Sequence, residues 1–315
     1  MVGSPNAGKS SLVNRFVDEK VSAVSPKVNT TRSTIHGVRT VDETQLVFVD
    51  LPGFVERTER RKGLYVQPLR NMVETALSTE ELEAIMLVVD ATTKPNRFEW
   101  NLFGRIVDAL KSVEETQRPP CFLVLNKIDL LPACRLVREE ENLPYRVESR
   151  LRGKKNKLRF KDRVSLQIFD TLVQELQDKA VALEGFQGIH TVSALKRWGL
   201  RDLERDMLRC ARTRPWEYAR NEVTSLSLEE RATEIVRSHM FRRLNREVPY
   251  NSTLHLIEMY ESEGRYVIRH QIRVKTKSHY RIARGATSYI ERATTQDMQA
   301  ILKCPVEFYL GVKQG

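Results

Sequence analysis

Gly3-Ser4-Pro5-Asn6-Ala7-Gly8-Lys9-Ser10 opens the chain and fits the spacing G-x-x-x-x-G-K-[ST]. Glycines at those positions let backbone N–H groups curl around phosphate oxygens. A lysine at position 9 reaches the outer phosphates, and a hydroxyl at Ser10 is a hard ligand for Mg²⁺. A helix starting at Lys9 adds the positive end of its dipole, with Ala7, Gly8 and Ser11 lining the same turn. One octapeptide fits ordinary turns as well, so the reading needs independent support further along the chain.

Three later stretches supply it. Val47-Phe48-Val49-Asp50-Leu51-Pro52-Gly53 is an apolar run ending in D-x-x-G, where Asp50 can hold Mg²⁺ through a water and the Gly53 amide can approach a γ-phosphate. Leu123-Val124-Leu125-Asn126-Lys127-Ile128-Asp129 is another apolar run, ending in N-K-x-D. A carboxylate at Asp129 can accept from both N1–H and the exocyclic amine of guanine, a donor pair that adenine lacks. Thr191-Val192-Ser193-Ala194 follows a third run, and Ser193 or Ala194 can offer a backbone amide to guanine O6.

The runs Leu46–Val49, Ile85–Val89, Phe122–Leu125 and Ile189–Val192 read as fully buried parallel strands. Amphipathic stretches lie between them, such as Leu102, Ile106, Val107 and Leu110 on one helical face. Strands alternating with helices indicate a doubly wound, mostly parallel α/β sheet, whose ligands bind beyond the carboxyl ends of the strands. Only Met1 and Val2 precede the phosphate loop, where a whole strand is expected. The chain therefore reads as a trimmed segment of a longer precursor, or its numbering omits upstream residues.

With 315 residues, the chain has room for about two domains at ~150 residues each. Its 52 Lys and Arg against 41 Asp and Glu leave a net charge of +11, which suggests a polyanionic partner. The four cysteines, Cys121, Cys134, Cys210 and Cys304, are scattered, so neither a zinc site nor a disulfide framework is indicated. No apolar run reaches the ~20 residues that span a bilayer, which excludes integral membrane association.

The domain boundaries expected are 1–212 for the nucleotide domain, 213–222 for a connector containing Pro215 and Trp216, and 223–315 for a smaller α+β domain. Within the first, Leu131–Arg163 exceeds what one crossover helix (Leu166, Phe169, Leu172, Val173, Leu176) requires. Its second half is densely basic, with Lys154, Lys155 and Lys157 among nine cations, and reads either as a solvated insertion or as an arm gripping phosphate backbone. In the last domain, Leu228 to Leu244 marks a helix. Leu254–Glu261 and Tyr266–Val274 are strands turning at Glu263-Gly264, Ala286–Leu302 is helical, and Val306–Val312 is a closing strand.

By its four strand-end motifs the chain resembles the translation-factor-related GTPases. That resemblance implies that Thr31, in Asn29-Thr30-Thr31-Arg32, completes Mg²⁺ coordination, with Thr30 as the alternative. It also implies that Asn6 helps bind K⁺ in place of an arginine finger, or else only stabilises the loop. The residue after D-x-P-G is Phe54, which cannot orient water by hydrogen bonding. Lys9, Thr31 and Gly53 are the candidate catalytic groups, and slow, partner-stimulated hydrolysis of GTP to GDP is expected.

Thr233-Glu234-Ile235-Val236-Arg237, Glu247-Val248-Pro249-Tyr250, Gln296-Asp297-Met298-Gln299 and Cys304-Pro305-Val306-Glu307 make the second domain similar to that of the Era family. The resemblance implies a P-loop GTPase domain followed by a small α+β type II KH domain that binds the 3′ end of small-subunit ribosomal RNA. A KH domain clamps single-stranded RNA with a G-x-x-G loop. Here the stretch is Ile282-Ala283-Arg284-Gly285, so Ile282 stands where a glycine with positive φ is expected. Lys275, Lys277, Arg281, Arg284 and Gly285 are the candidate RNA residues; a KH fold turned to protein docking is the alternative.

The function expected is a GTP-hydrolysing assembly factor of the small ribosomal subunit. It would work as a monomer within a large ribonucleoprotein, alongside ribosomal proteins or other assembly factors. The alternative is a catalytically silent GTP-bound scaffold, motivated by Phe54 and the altered loop. The basic insertion and that loop point to the mitochondrial matrix, with the bacterial cytoplasm, peripheral at the inner membrane, as the alternative.

Overall fold

A computed structural model describes residues 1–4, 6–22, 24, 35–50, 82–92, 118–130, 134–137, 146–149, 186–245 and 247–315. Two compact units emerge. One comprises Met1–Phe16, Thr40–Leu46 and Gly53–Ala219, the other Val17–Arg39, Val47–Pro52 and Arg220–Gly315.

In the first unit, β1 (Val2–Gly3), β4 (Ile85–Asp90), β5 (Cys121–Asn126) and β8 (Phe186–Thr191) form a parallel sheet in the order β1-β4-β5-β8. The interior strand β5 is buried along its whole length and β4 over its first five residues, which is why both read as unbroken apolar runs. Helix α1 (Lys9–Phe16) buries Leu12, Val13 and Phe16, and α2 (Leu200–Leu208) buries Leu200, Leu203 and Met207 at helical spacing.

The connector is docked. The Gln45 amide donates to Tyr218 O (2.9 Å) and accepts from Tyr218 N (3.0 Å), while Trp216 Nε1 donates to Glu43 O (3.2 Å).

In the second unit, α3 (Leu228–Arg243) starts at a capping box: Glu230 N donates to Ser227 Oγ, and Ser227 N donates to Glu230 Oε2. Strands β9 (Ser252–Ser262), β10 (Arg265–Val274) and β11 (Val306–Gln314) form a sheet in which β10 runs antiparallel to β9 and parallel to β11. The turn at Glu263-Gly264 has φ of +51° and +73°, the left-handed pair that a tight hairpin needs. Helices α4 (Lys277–Arg284) and α5 (Thr287–Leu302) join α3 over one face of this sheet. There Ile268, Ile272, Phe308 and Leu310 meet Ile235, Val236, Ile290 and Met298.

Segments from early in the chain belong to this unit as well. Val38 N donates to Val223 O (2.8 Å) and Ser225 N to His36 O (3.3 Å), so residues 223–225 run antiparallel beside β2 (Ile35–Val41). Arg231 Nε donates to Lys20 O (3.2 Å), and Ser238 Oγ and Arg242 Nε both donate to Val24 O (3.0 and 2.9 Å). Lys20 and His239 share Asp297 Oδ2. Burial lowers the Lys20 pKa. At Asp297 burial acts to raise it, but the hydrogen bonds from His239 and Lys20 outweigh this and hold the carboxyl below its usual range.

Two expectations need revision. Leu46–Val49 lies in β3 (Thr44–Asp50), which pairs with β2 across a two-residue turn and is half-buried except at Phe48 and Asp50; it is one arm of a hairpin, not a fully buried parallel strand. Ile282 needs no positive φ, because it sits in the last turn of α4; Gly285 itself has φ −67°. Within the surplus stretch, β6 (Cys134–Val137) pairs antiparallel with β7 (Arg146–Ser149). The helical faces at 102–110 and 166–176, and Lys154, Lys155 and Lys157, lie outside the described residues. No described helix is long and apolar enough to cross a membrane.

Sequence patterning did not single out His270, which is buried between α3 and β11. Thr233 Oγ1 lies 3.0 Å from its Nε2, and Nδ1 has no partner among the described residues. Burial drops its pKa from 6.5 to about 4. The unfolded chain therefore binds a proton between these values that the folded unit refuses. Stability should be full above pH 6.5 and fall by about 3 kcal/mol as pH drops to 4. Urea midpoints compared with His270→Gln isolate the effect; equal pH slopes for the two proteins would contradict it.

Candidate functional site

The loop 3–8 is shaped by two glycines. Gly3 has φ +152°, and a Cβ there would lie 2.2 Å from Val88 O, so only glycine lets β1 end against β4. Gly8 has φ +99°, and a Cβ would lie 2.2 Å from Asn126 Nδ2. Asn6 also takes a left-handed conformation (φ +63°), and Ala7 N closes the turn onto Ser4 O at 3.2 Å. Lys9 is buried, and its ammonium folds back to donate to Gly3 O (2.9 Å) and Ser4 O (3.0 Å). Ser10 and Ser11 are half-buried in the first turn of α1.

Asn126 joins three turns. At the end of β5 and 1% exposed, it donates from Nδ2 to Ala7 O (2.9 Å) and accepts at Oδ1 from Ala194 N (3.1 Å). Lys127 follows with φ +68°, and Ile128–Leu130 forms a 3₁₀ turn that presents Asp129. Ser193 Oγ donates to Asp129 Oδ1 (2.5 Å) and accepts from Lys196 N (3.0 Å), which fixes the carboxylate against the last turn. Lys9, Ala7, Gly8, Asn126, Asp129, Ser193 and Ala194 thus meet at the carboxyl ends of β1, β5 and β8, as the strand-end rule anticipates. The Ala194 amide, expected to face a base oxygen, donates instead to Asn126 Oδ1.

Two members of this cluster escaped sequence reading. Asp90, in register with Asn126 at the end of β4, pairs with Lys127 Nζ (2.7 Å) and accepts from Thr92 N and Oγ1 (2.9 and 2.6 Å). Arg15 Nε donates to Ala194 O (2.8 Å) from the opposite side. An acidic residue closing a buried strand was the available signal for Asp90. Arg15 had none, because a helical arginine is ordinarily solvated.

In the second unit, Asp50 is fully buried at the end of β3. Ser22 Oγ donates to its Oδ2 (2.8 Å), whereas Oδ1 has no partner among the described residues. A buried, unsatisfied carboxylate oxygen carries a desolvation cost that a hard cation or its water relieves, so Asp50 fits the Mg²⁺ role, as the Ser10 hydroxyl does by its chemistry. Thr30, Thr31, Gly53 and Phe54 lie outside the described residues.

The candidate RNA residues occupy α4 and its ends. Lys277, Arg281 and Arg284 fall at i, i+4 and i+7, on one exposed stripe, with Lys275 before the helix and Gly285 after it. None of the four cations has an acidic partner among the described residues. A Cβ at Gly285 would meet nothing closer than 3.5 Å, so the fold does not demand glycine there.

Asn126→Ala would strip the buried partners from Ala7 O and Ala194 N at once. Each orphaned group costs about 1–3 kcal/mol, so unfolding of this unit should become easier by about 2–6 kcal/mol. Differential scanning calorimetry reads this, and an unchanged transition would show that the bridge contributes nothing.

Residues 1–127 match the family described as 50S ribosome-binding GTPase. A GTPase Era from Sinorhizobium medicae is 30% identical over 99% of this chain and 86% of its own length. The mitochondrial GTPase Era of Danio rerio is 27% identical over 99% of this chain and 74% of its own. Among solved structures, a point variant of Aquifex aeolicus Era bound to GDP·AlF4⁻ superposes with a TM-score of 0.71 at 24% identity, covering 100% of this chain and 92% of that one. An Era in complex with MgGDPNP and nucleotides 1506–1542 of 16S ribosomal RNA gives 0.68 at 25% identity, covering 100% and 91%. The chain, with its strand-end cluster at Asn126 and its α+β C-terminal part, belongs to the Era family of GTPases.

Proposed function

We propose that this GTPase is an assembly factor of the small ribosomal subunit, which grips ribosomal RNA through α4 and times its release by GTP hydrolysis. The observation that carries the nucleotide half is the Asn126 bridge, which binds the phosphate loop and the base-reading turn into one rigid piece. The RNA half rests on the exposed cationic stripe of α4, together with the relative solved on a 16S ribosomal RNA fragment. The domain division that suits this reading is 1–212 for the nucleotide domain, 213–222 for the connector and 223–315 for the KH-like domain.

The division of labour follows from side-chain chemistry. Amides of residues 6–11 and the Lys9 ammonium bind phosphate oxygens. Asp129, oriented by Ser193, accepts from guanine N1–H and the exocyclic amine. Ser10 and Asp50, with Thr31, would hold Mg²⁺, which when bound neutralises charge on the β- and γ-phosphates. Asn6 is suited to contribute an oxygen to K⁺ beside the loop, and Gly53 to offer its amide to the γ-phosphate. Slow hydrolysis raised by a ribosomal partner fits Phe54, which cannot position water. A mitochondrial relative and bacterial relatives of similar identity support residence in the mitochondrial matrix or the bacterial cytoplasm, and the basic insertion favours the former.

Asp129→Asn should move preference from guanine to xanthine nucleotides in competition binding, because the amide now donates where the carboxylate accepted; retained GTP selectivity would remove Asp129 from the site. Lys9→Ala should cost GTP affinity and turnover while sparing RNA binding, and Arg284→Ala should do the reverse. Removing one cation that neutralises an RNA phosphate should reduce the salt slope of RNA binding by about 0.7. Equal losses in both assays would argue against separate nucleotide and RNA sites.

A further inference from the structure

The helices cover only one face of the C-terminal sheet. The opposite face follows from the register. Thr253, Arg273 and Lys313 form one row across β9, β10 and β11, and His255, Gln271 and Gly311 the next. Glu258, Arg269 and Tyr309 form a third, and Tyr260, Val267 and Glu307 a fourth. A β-bulge at Arg269/His270 adds Ile257 beside Glu258. Ile257, Tyr260 and Tyr309 are 54%, 45% and 46% exposed, and the Arg269 guanidinium lies 5.2 Å from the centre of the Tyr309 ring.

Charge is divided unevenly over this face. Near the hairpin turn, Arg269 pairs with Glu258 (2.9 Å) and Arg265 with Glu307 (2.6 Å). At the other end Arg273 and Lys313 are register partners, and neither has an acidic partner among the described residues. Beyond them β10 runs directly into Lys275 and Lys277, the start of the α4 stripe. Cations without acidic partners among the described residues therefore continue from Arg284 along α4, round the end of the sheet and onto its open face. A smooth polar patch at Gln271 and Gly311 follows, and then two exposed tyrosines. Arg273 to Arg269 spans about 13 Å of β10. Uncompensated cations leading to exposed rings match a single strand of nucleic acid, whose phosphates need the former and whose bases stack on the latter. An acidic protein surface would satisfy the cations but leave the two rings without base-like partners.

We propose that the open face of the β9–β10–β11 sheet is a second RNA surface, over which a single strand held at α4 continues. Arg273 and Lys313 neutralise its phosphates, and Tyr309 and Tyr260 stack its bases, with Arg269 extending the Tyr309 platform. The proposal builds on RNA binding at α4, and the test separates the two.

Fluorescence anisotropy of the full chain with oligouridines of about five and about fifteen nucleotides provides it, the lengths bracketing a short and an extended site. Tyr260→Ala with Tyr309→Ala should weaken the long RNA at least about thirtyfold and leave the short one within about twofold. Tyr309→Phe should restore stacking, and GTP turnover should be unaffected throughout. Arg273→Ala with Lys313→Ala should lower the salt slope for the long RNA by about 1.4 and leave that for the short RNA unchanged. Arg281→Ala with Arg284→Ala should weaken both lengths. Sheet variants that match wild type at both lengths, while the α4 variant fails at both, would overturn this proposal alone. A wild-type chain that binds neither RNA would overturn it together with the α4 reading.

Discussion

One side chain holds the nucleotide half together. Asn126 is the last residue of a wholly buried strand, and its amide has one donor and one acceptor aimed at turns about 120 and 70 residues away in sequence. Leaving either backbone group unpaired in that interior is costly, so the amide acts as a register pin between β1, β5 and β8. Gly8 is glycine because the pin occupies the space its side chain would take. Lys127 takes a left-handed conformation as the chain turns away from the pin, and its ammonium finds Asp90 on the neighbouring strand. The phosphate loop, the N-K-x-D turn and the Thr191–Ala194 turn are thus not separate recognition elements. They are one piece of structure whose members depend on the same two hydrogen bonds.

That dependence explains what could be read in advance. Strands β4 and β5 are apolar throughout because both their faces are covered, and a run of Val, Leu and Ile says so directly. The strand-end motifs were legible because phosphate and guanine chemistry restricts residue types at fixed spacing. β3 was misread for the same reason: Leu46–Val49 is as apolar as a buried strand, but its neighbour is β2 through a two-residue turn, and local composition does not report which strand lies alongside. Ser193 holding Asp129, and Arg15 holding Ala194, are tertiary contacts across about 64 and 179 residues, invisible to any local pattern.

In the C-terminal part the legible and illegible features divide differently. Alternation along β9 and β10 and the Glu263-Gly264 turn gave the hairpin. The expectation for Ile282 assumed a loop wherever a glycine-based clamp was sought. Helix α4 instead runs through Arg284 and leaves a two-residue joint before α5, so the exposed cations are ordered along a helix face. A regular stripe spaces charges more rigidly than a loop does, and rigidity lowers the entropy lost when phosphates are bound. Gly285 can then matter for how near a phosphate comes to the backbone rather than for the backbone's own conformation.

The two stretches bordering residues 25–34 carry a further constraint. Before them, Lys20 O and Val24 O accept from Arg231, Ser238 and Arg242 of α3, and Lys20 shares Asp297 of α5 with His239. After them, His36 and Val38 pair with residues 223–225 immediately ahead of α3. Both borders are therefore anchored to the element that begins the C-terminal part, by backbone hydrogen bonds and a largely buried ionic cluster. That element, α3, also packs on α5, which starts three residues after the cationic stripe ends, so both borders and the stripe belong to one packed assembly in the C-terminal part.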